Sequence, residues 1–308
     1  MKRPTISYVV TAYNIEQYIE ESINCAFSQT FSPLEIVLSD DCSTDRTYEI
    51  MERMAKAYKG PHSIVLNRNA VNLGITRHMN KAYLELASGE LIIAAHGDDL
   101  SLPERAERSW EFLSQHQDFT AVSFSVDAIN EKGERLKQHS AIVKQPHFYD
   151  FHSGGNIPAP SRCFYKKVME QFGPMNDDCP TEDEVISFRA LLLGRNAFLP
   201  DHMVQYRKHK GSASNPENFD RFPLEKILKQ QDDDMGKAVS WGLITQKQRD
   251  AKYKALYKNM LIRQKYRKYF ASRSIGNLLR LLSYNQISLR RKLSYCKEHV
   301  DYLINRKR

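Results

Sequence analysis

Two pairs of adjacent carboxylates, Asp40-Asp41 and Asp98-Asp99, stand at the ends of apolar runs. Neighbouring carboxylates repel, so such a pair is costly unless positive charge sits beside it. A hard divalent cation, Mg2+ or Mn2+, meets that need with oxygen ligands and leaves positions for water and phosphate. The competing reading of each pair is a solvated turn. If a cation sits on Asp98-Asp99, the ligand it serves carries phosphate. Asp40 is then placed to accept a ring N–H of a nucleobase. Arg77 opens a helix after Gly74 and could neutralise phosphate together with that helix N-terminus. Glu182-Asp183-Glu184 begins another helix, where the dipole stabilises an ionised Asp183. Carboxylates also favour helix starts for that reason alone, so both readings stand. In Tyr206-Arg207-Lys208-His209, Arg207 or His209 could reach a diphosphate or a metal. There is no Walker-type glycine loop and no Gly-x-Gly-x-x-Gly, which argues against a P-loop kinase and a dinucleotide dehydrogenase.

These residues need a scaffold that brings strand ends together. Ile6–Val10, Leu34–Leu38, Ser63–Leu66, Leu91–His96 and Ala121–Val126 read as strands, being apolar, β-branched and aromatic. Between them lie helical stretches: Asn14, as N-cap, to about Gln29; a stretch ending near Tyr58 with Ile50, Met51 and Met54 on one face; Thr76–Ala87; and Pro103, in the first turn, to about His116. Alternating strands and helices predict an α/β fold with a mostly parallel sheet, whose ligands bind beyond the carboxyl ends of the strands. Gln145 to Pro160, rich in Gly, Pro, His and aromatics, reads as an ordered functional loop. Glu182–Leu193 reads as a helix stopped by Gly194, and Phe198-Leu199 and Met203–Tyr206 as two short strands. The polar cluster Gly211–Pro216 marks the boundary between residues 1–215 and an all-helical region, 216–308. In that region Ile275, Leu278, Leu279 and Leu282 follow helical spacing, and Leu289, Leu293, Cys296, Val300 and Leu303 a 4-3-4-3 spacing.

Five motifs, in order, resemble those of family 2 glycosyltransferases of the GT-A fold: Val9-Val10-Thr11-Ala12-Tyr13-Asn14, Asp40-Asp41-Cys42-Ser43-Thr44-Asp45, Asn72-Leu73-Gly74, Gly97-Asp98-Asp99, and Thr181-Glu182-Asp183 ahead of Arg189 and Gly194. The resemblance spans roughly residues 5–215. It implies a GT-A domain, residues 1–215, in which Thr11, Tyr13 and Asp40 hold the base of a nucleotide-sugar donor. It implies that Asp98 and Asp99 hold the metal on the diphosphate and that Asp183 is the catalytic base. Three departures stand out. His96 replaces the first Asp of the usual DxD motif, so His96 or His209 could complete the ligand set. Cys42 stands where Gly or Asn is usual. Met79 takes the place of an Arg common before Asn80, a role left to Arg77. The chemistry is self-consistent. Inverting transfer needs one base for the acceptor hydroxyl, and a nucleoside diphosphate leaving group needs charge neutralisation rather than a proton. His152 is the next candidate for the base.

The 308-residue chain carries a formal charge of +8, unevenly placed. From Ala251 to Arg308 there are 16 Lys/Arg against 2 Asp/Glu, whereas the rest carries 29 against 35. The basic tail reads either as solvated helix faces or as a surface for anionic membrane. No nucleic-acid-binding motif accompanies it. Five scattered cysteines without CxxC spacing argue for a reducing compartment. The N-terminus carries no apolar signal region and no run reaches spanning length, so a cytoplasmic or peripheral membrane protein is expected. The expected activity is inverting, metal-dependent transfer of a sugar from a UDP-sugar to a glycan, carried on a lipid, in bacterial surface polysaccharide synthesis. The alternatives are a nucleotidyltransferase, which would show a Gly-rich basic loop after the first strand, or a nucleotide-binding membrane scaffold without turnover.

Overall fold

The computed structural model describes residues 5–136, 141–155, 157–212, 222–285 and 287–305. The expected boundary within Gly211–Pro216 lies largely outside the described residues. The chain opens with β1 (Ile6–Ala12), α1 (Ile19–Phe27), β2 (Glu35–Asp40), α2 (Thr47–Ala57) and β3 (Ser63–Arg68). Next come α3 (Ile75–Asn80), which runs into a π-helical turn at Lys81–Leu86, then β4 (Leu91–His96), β5 (Leu100–Ser101), α4 (Arg105–Gln115) and β6 (Phe119–Ile129). β7 (His147–Tyr149), β8 (Cys163–Tyr165), α5 (Lys167–Glu170), α6 (Asp183–Leu193) and β9 (Arg195–Arg207) complete the α/β part. Four helices follow: α7 (Leu224–Ser240), α8 (Gln246–Ser272), α9 (Ile275–Leu282) and α10 (Leu289–Asn305).

Among the described residues the strands form one sheet in the order β3-β2-β1-β4-β8-β6-β9-β5, with β7 beside β9. The first four are parallel. β8 is antiparallel to both β4 and β6, and β6 and β9 are again parallel. The parallel strands read as unbroken apolar runs because both faces are covered. Ile6, Tyr8, Val10 and Ala12 pack on the α1, α2 and α4 side. Val9 packs with Val37, Ile92, Tyr83 and Val185 on the other. Each fully buried Val or Ile contributes about 1.5–3 kcal/mol.

Two local expectations differ from what is found. Asn14 does not cap α1, which starts five residues later; its φ is +51° and its side-chain oxygen accepts the Thr44 N–H at 2.8 Å. The residue caps the β2–α2 loop instead. The two short strands expected after Gly194 are one 13-residue strand, β9, which bends through register shifts against β6. The 4-3-4-3 apolar residues of α10 point outward: Leu289, Leu293, Val300 and Leu303 are exposed, whereas Tyr295 and His299 are buried. The five cysteines are free thiols. Among the described residues no helix is long and apolar enough to cross a membrane.

Candidate active site

Strand register puts the first motif residues in one row. Thr11 of β1 faces Ser39 of β2 on one side and His96 of β4 on the other. The carboxyl ends of these strands border a cleft of about 980 Å3, which Thr11, Tyr13, Asp41, His96, Asp98 and Asp99 help to line. Tyr13 is 46% exposed and offers an aromatic face at the rim. Gly97 packs closely: a Cβ there would lie 2.5 Å from the Ile15 Cδ1 methyl and 2.8 Å from that of Ile19, and would have to displace both. That contact holds the Asp98-Asp99 turn against α1.

The two Asp pairs divide their work. Asp40 is fully buried. Its Oδ2 accepts the Ser43 N–H at 3.0 Å and lies 3.6 Å from Arg68 Nε, and its Oδ1 has no partner. Asp41 reaches the cleft wall and accepts the N–H groups of Leu73 and Gly74 at 2.9 and 3.0 Å. Asp41 thereby fixes the Asn72-Leu73-Gly74 loop, where Gly74 adopts φ +75°. Behind it, His78 pairs with Ser39 at 2.8 Å and burial lowers its pKa.

Asp98 Oδ2 lies 2.9 Å from His209 Nε2, and both residues line the cleft. Burial pushes the Asp98 carboxyl upward, but the His209 hydrogen bond and the charges of His96 and His209 hold it below the usual range. Asp99 is pushed well above that range, by burial first and then by the Asp98 charge. Its Oδ1 accepts the Arg207 N–H at 2.9 Å, and its buried Oδ2 has no partner. Arg207 does not reach into the cleft as a phosphate ligand would. It is 1% exposed, donates to the Asp98 carbonyl at 3.0 Å, pairs with Glu21 and stacks on Tyr18. This arginine clamps the acidic turn from behind.

A cation could use Asp98 and His209, an oxygen and a nitrogen donor set side by side, with the Asp99 turn beneath. Two protein ligands plus water and substrate phosphate is a usual arrangement for such ions. Among the described residues no group of three or more His, Cys, Asp or Glu side chains is gathered to hold a metal. The donor set therefore fits an ion shared with a phosphate-bearing ligand rather than a closed protein site.

Asp183 is the first residue of α6 and lines the same cleft. Glu182 beside it is 4% exposed. Burial, the Asp183 charge and a hydrogen bond to Asp183 raise the Glu182 carboxyl well above its ordinary range. That hydrogen bond ties the two carboxyl groups together at the start of α6. α6 is fixed from below by a fully buried pair: Arg189 Nε donates to Asp234 of α7 at 2.8 Å and Nη2 at 3.1 Å. Removing one partner of such a pair costs about 3–5 kcal/mol.

The structure does not bring every expected residue here. Arg77 is exposed, donates to the Leu73 carbonyl at 2.9 Å, and borders an adjoining pocket of about 380 Å3 with Asp177, Asp178 and Lys226 rather than the cleft itself. Met79 is buried and lines the cleft. His152 is exposed and borders a neighbouring cavity rather than the cleft. Conversely, Lys208, Arg263 and Arg267 do line the cleft. The two arginines come from α8, inside the basic tail, four residues apart and thus on one helix face. That spacing was the only signal, and the density of surrounding charge hid it. Arg263 pairs with Glu184 through two bonds of 2.7 Å, beside Asp183.

Residues 7–175 match the sequence profile described as Glycosyl transferase family 2. A glycosyltransferase of Haemophilus influenzae, itself uncharacterized, is 29% identical over 244 residues, 74% of this chain and 73% of its own length. Staphylococcus aureus TarS, solved with UDP, superposes with TM-score 0.62 at 20% identity, covering 94% of this chain and 78% of that one. The mannosyltransferase PcManGT of Pyrobaculum calidifontis, solved with GDP-Man and Mn2+, gives TM-score 0.58 at 16% identity, covering 97% and 81%. The fold is GT-A, with a helical C-terminal region, and the protein is a glycosyltransferase. More particularly, the chain belongs to glycosyl transferase family 2.

Proposed function

We propose that the chain transfers a sugar, with inversion, from a UDP-sugar to a hydroxyl of a lipid-carried glycan in bacterial surface polysaccharide synthesis. The observation that carries this reading is that the Asp98–His209 pair and the helix-start carboxylate Asp183 line one cleft. Thr11 and Tyr13 border the base end, with Tyr13 as the stacking surface; Asp40 lies behind them with one unpartnered oxygen. Asp98 and His209, with Asp99 behind, would hold Mg2+ or Mn2+, which when bound neutralises the leaving diphosphate. The TarS–UDP and PcManGT–Mn2+ complexes support the same chemistry on this fold.

Asp183 takes the proton of the acceptor hydroxyl as its oxygen bonds to the anomeric carbon. The bond from that carbon to the phosphate oxygen breaks, and the nucleoside diphosphate departs with the electron pair. Glu182, protonated, holds the Asp183 carboxylate in place. Lys208 adds positive charge at the cleft wall. The same proposal includes peripheral membrane attachment. Ile275, Leu279, Leu289 and Leu293 are each at least 60% exposed, beside Arg280, Arg290, Arg291 and Lys292. Apolar side chains flanked by cations suit an anionic bilayer surface. A panel of sugar nucleotides with Mn2+, read by released nucleoside diphosphate, tests the transferase reading. UDP-sugars should be turned over, and release from none of the panel would refute it.

A further inference from the structure

A second cavity of about 830 Å3 adjoins the cleft, bounded by the 151–155 loop, α6, α7 and α8. Glu184, Ile227 and Arg263 border both spaces, so the two meet immediately beside Asp183. The space is a groove open to solvent along α8, where Ala251 and Ala255 are exposed. Ala251 and Ala255, one turn apart on α8, face the cavity where Phe188 and Leu191 of α6 form the other wall. Two short side chains leave the space between the helices unfilled. The lining of α8 runs from Lys247 to Arg263, roughly 24 Å along the helix at 1.5 Å per residue. The cavity is therefore long as well as wide.

Its chemistry is two-fold. The walls are mainly apolar, but four cations, Lys247, Lys252, Arg263 and Arg291, border it against a single carboxylate, Glu184, already bound to Arg263. Ser187 Oγ, on a residue 2% exposed in the α6 wall, has no hydrogen-bond partner. A long apolar chain ending in phosphate matches both the walls and the charge. Resting on the transferase reading, we propose that this cavity binds the phosphate-linked lipid carrier of the acceptor. The chain lies between α6 and α8, the phosphate takes the place of Glu184 on Arg263 at the junction, and the carried sugar projects toward Asp183. The cleft then serves the donor and the cavity the acceptor.

Calorimetry on the full chain, below micellar concentrations, compares farnesyl phosphate, farnesol and inorganic phosphate. Farnesyl phosphate should bind at least about tenfold more tightly than either of the others, a difference well resolved as affinity. Ala255→Trp fills the cavity from an exposed helix position and should weaken farnesyl phosphate by about tenfold or more while UDP affinity is unchanged. Arg263→Gln should bring farnesyl phosphate down toward farnesol. Farnesyl phosphate binding no tighter than farnesol or phosphate overturns the proposal, whatever the variants do. Equal binding by Ala255→Trp with its UDP affinity intact overturns it as well. Turnover of UDP-sugars measured in parallel separates the two readings: turnover without farnesyl phosphate binding removes the lipid site alone.

Discussion

Asp183→Asn isolates the proton-transfer step. The side chain keeps its size and one acceptor oxygen, so the Glu182 donor retains a partner. An amide cannot take the acceptor's proton. A positioned base contributes about 10²–10⁴-fold, which is about 3–5 kcal/mol of barrier at 1.36 kcal/mol per tenfold. The fold should not suffer. The Glu182 carboxyl, raised by burial and by the Asp183 charge, keeps an acceptor in the amide oxygen. The lost helix-start charge costs about 0.3–1 kcal/mol at most. The expected outcome is transfer reduced about 10²-fold or more, with UDP affinity by calorimetry and melting temperature near wild type. Slow donor hydrolysis by water should persist. If the variant transfers sugar within about tenfold of wild type, the inference from helix-start carboxylate to base is wrong. The cleft would then need another base, and His152, in the adjoining cavity, is too displaced to inherit the role without rearrangement.

Three further outcomes follow from the site. The Glu182 carboxyl is raised above its ordinary 4.5, so the folded state holds a proton that the unfolded chain releases. Stability should fall as pH rises above about 4.5, and Glu182→Gln should flatten that fall in melts between pH 5 and 8; an equally steep variant would show that Glu182 is not protonated when folded. Turnover should stop in excess EDTA and return with Mn2+, and His209→Ala should raise the Mn2+ concentration for half-maximal rate; undiminished turnover in EDTA would remove the metal. Co-sedimentation with phosphatidylglycerol vesicles should weaken as salt rises and fall with Leu293→Asp, and salt-independent binding would return α9 and α10 to ordinary solvated helices.

The parallel half of the sheet was legible because burial on both faces writes itself into sequence as unbroken apolar runs. Leu91–His96 ends one residue before a glycine and two before the acidic pair, and the register then aligns its end with Thr11. Asn14 misled because a side chain that caps a helix and one that bridges to a neighbouring loop share the same chemistry. Only the positive φ and the bond to Thr44 distinguish them. β9 looked like two strands because Pro200-Asp201-His202 interrupts the apolar pattern. The backbone there continues through a bend, since Ser125 of β6 pairs with His202 after a register shift. Within the Asp40-Asp41 pair, sequence alone does not say which carboxylate faces the cleft. Asp40 ends the buried strand, whereas Asp41, one residue beyond, turns to hold the Asn72-Leu73-Gly74 loop.

The basic C-terminal region shows why charge counting locates a partner's sign but not its place. A net-positive stretch with interleaved apolar residues reads as a single surface, yet its cations face in different directions. Arg263 and Arg267 turn into the cleft, and Lys252 donates to the Phe151 carbonyl at the edge of the second cavity. Arg273 binds Glu298 at 2.5 Å and joins the turn after α8 to α10. The deciding factor is which helix face meets the α/β body, and that depends on α7, held to α6 by the buried Arg189–Asp234 pair. That buried ion pair is one of the contacts that place the helical region, beside the Arg263–Glu184 pair from α8 to α6. Substituting Asp234 should therefore disturb the first turn of α6 and the arginines across from it together.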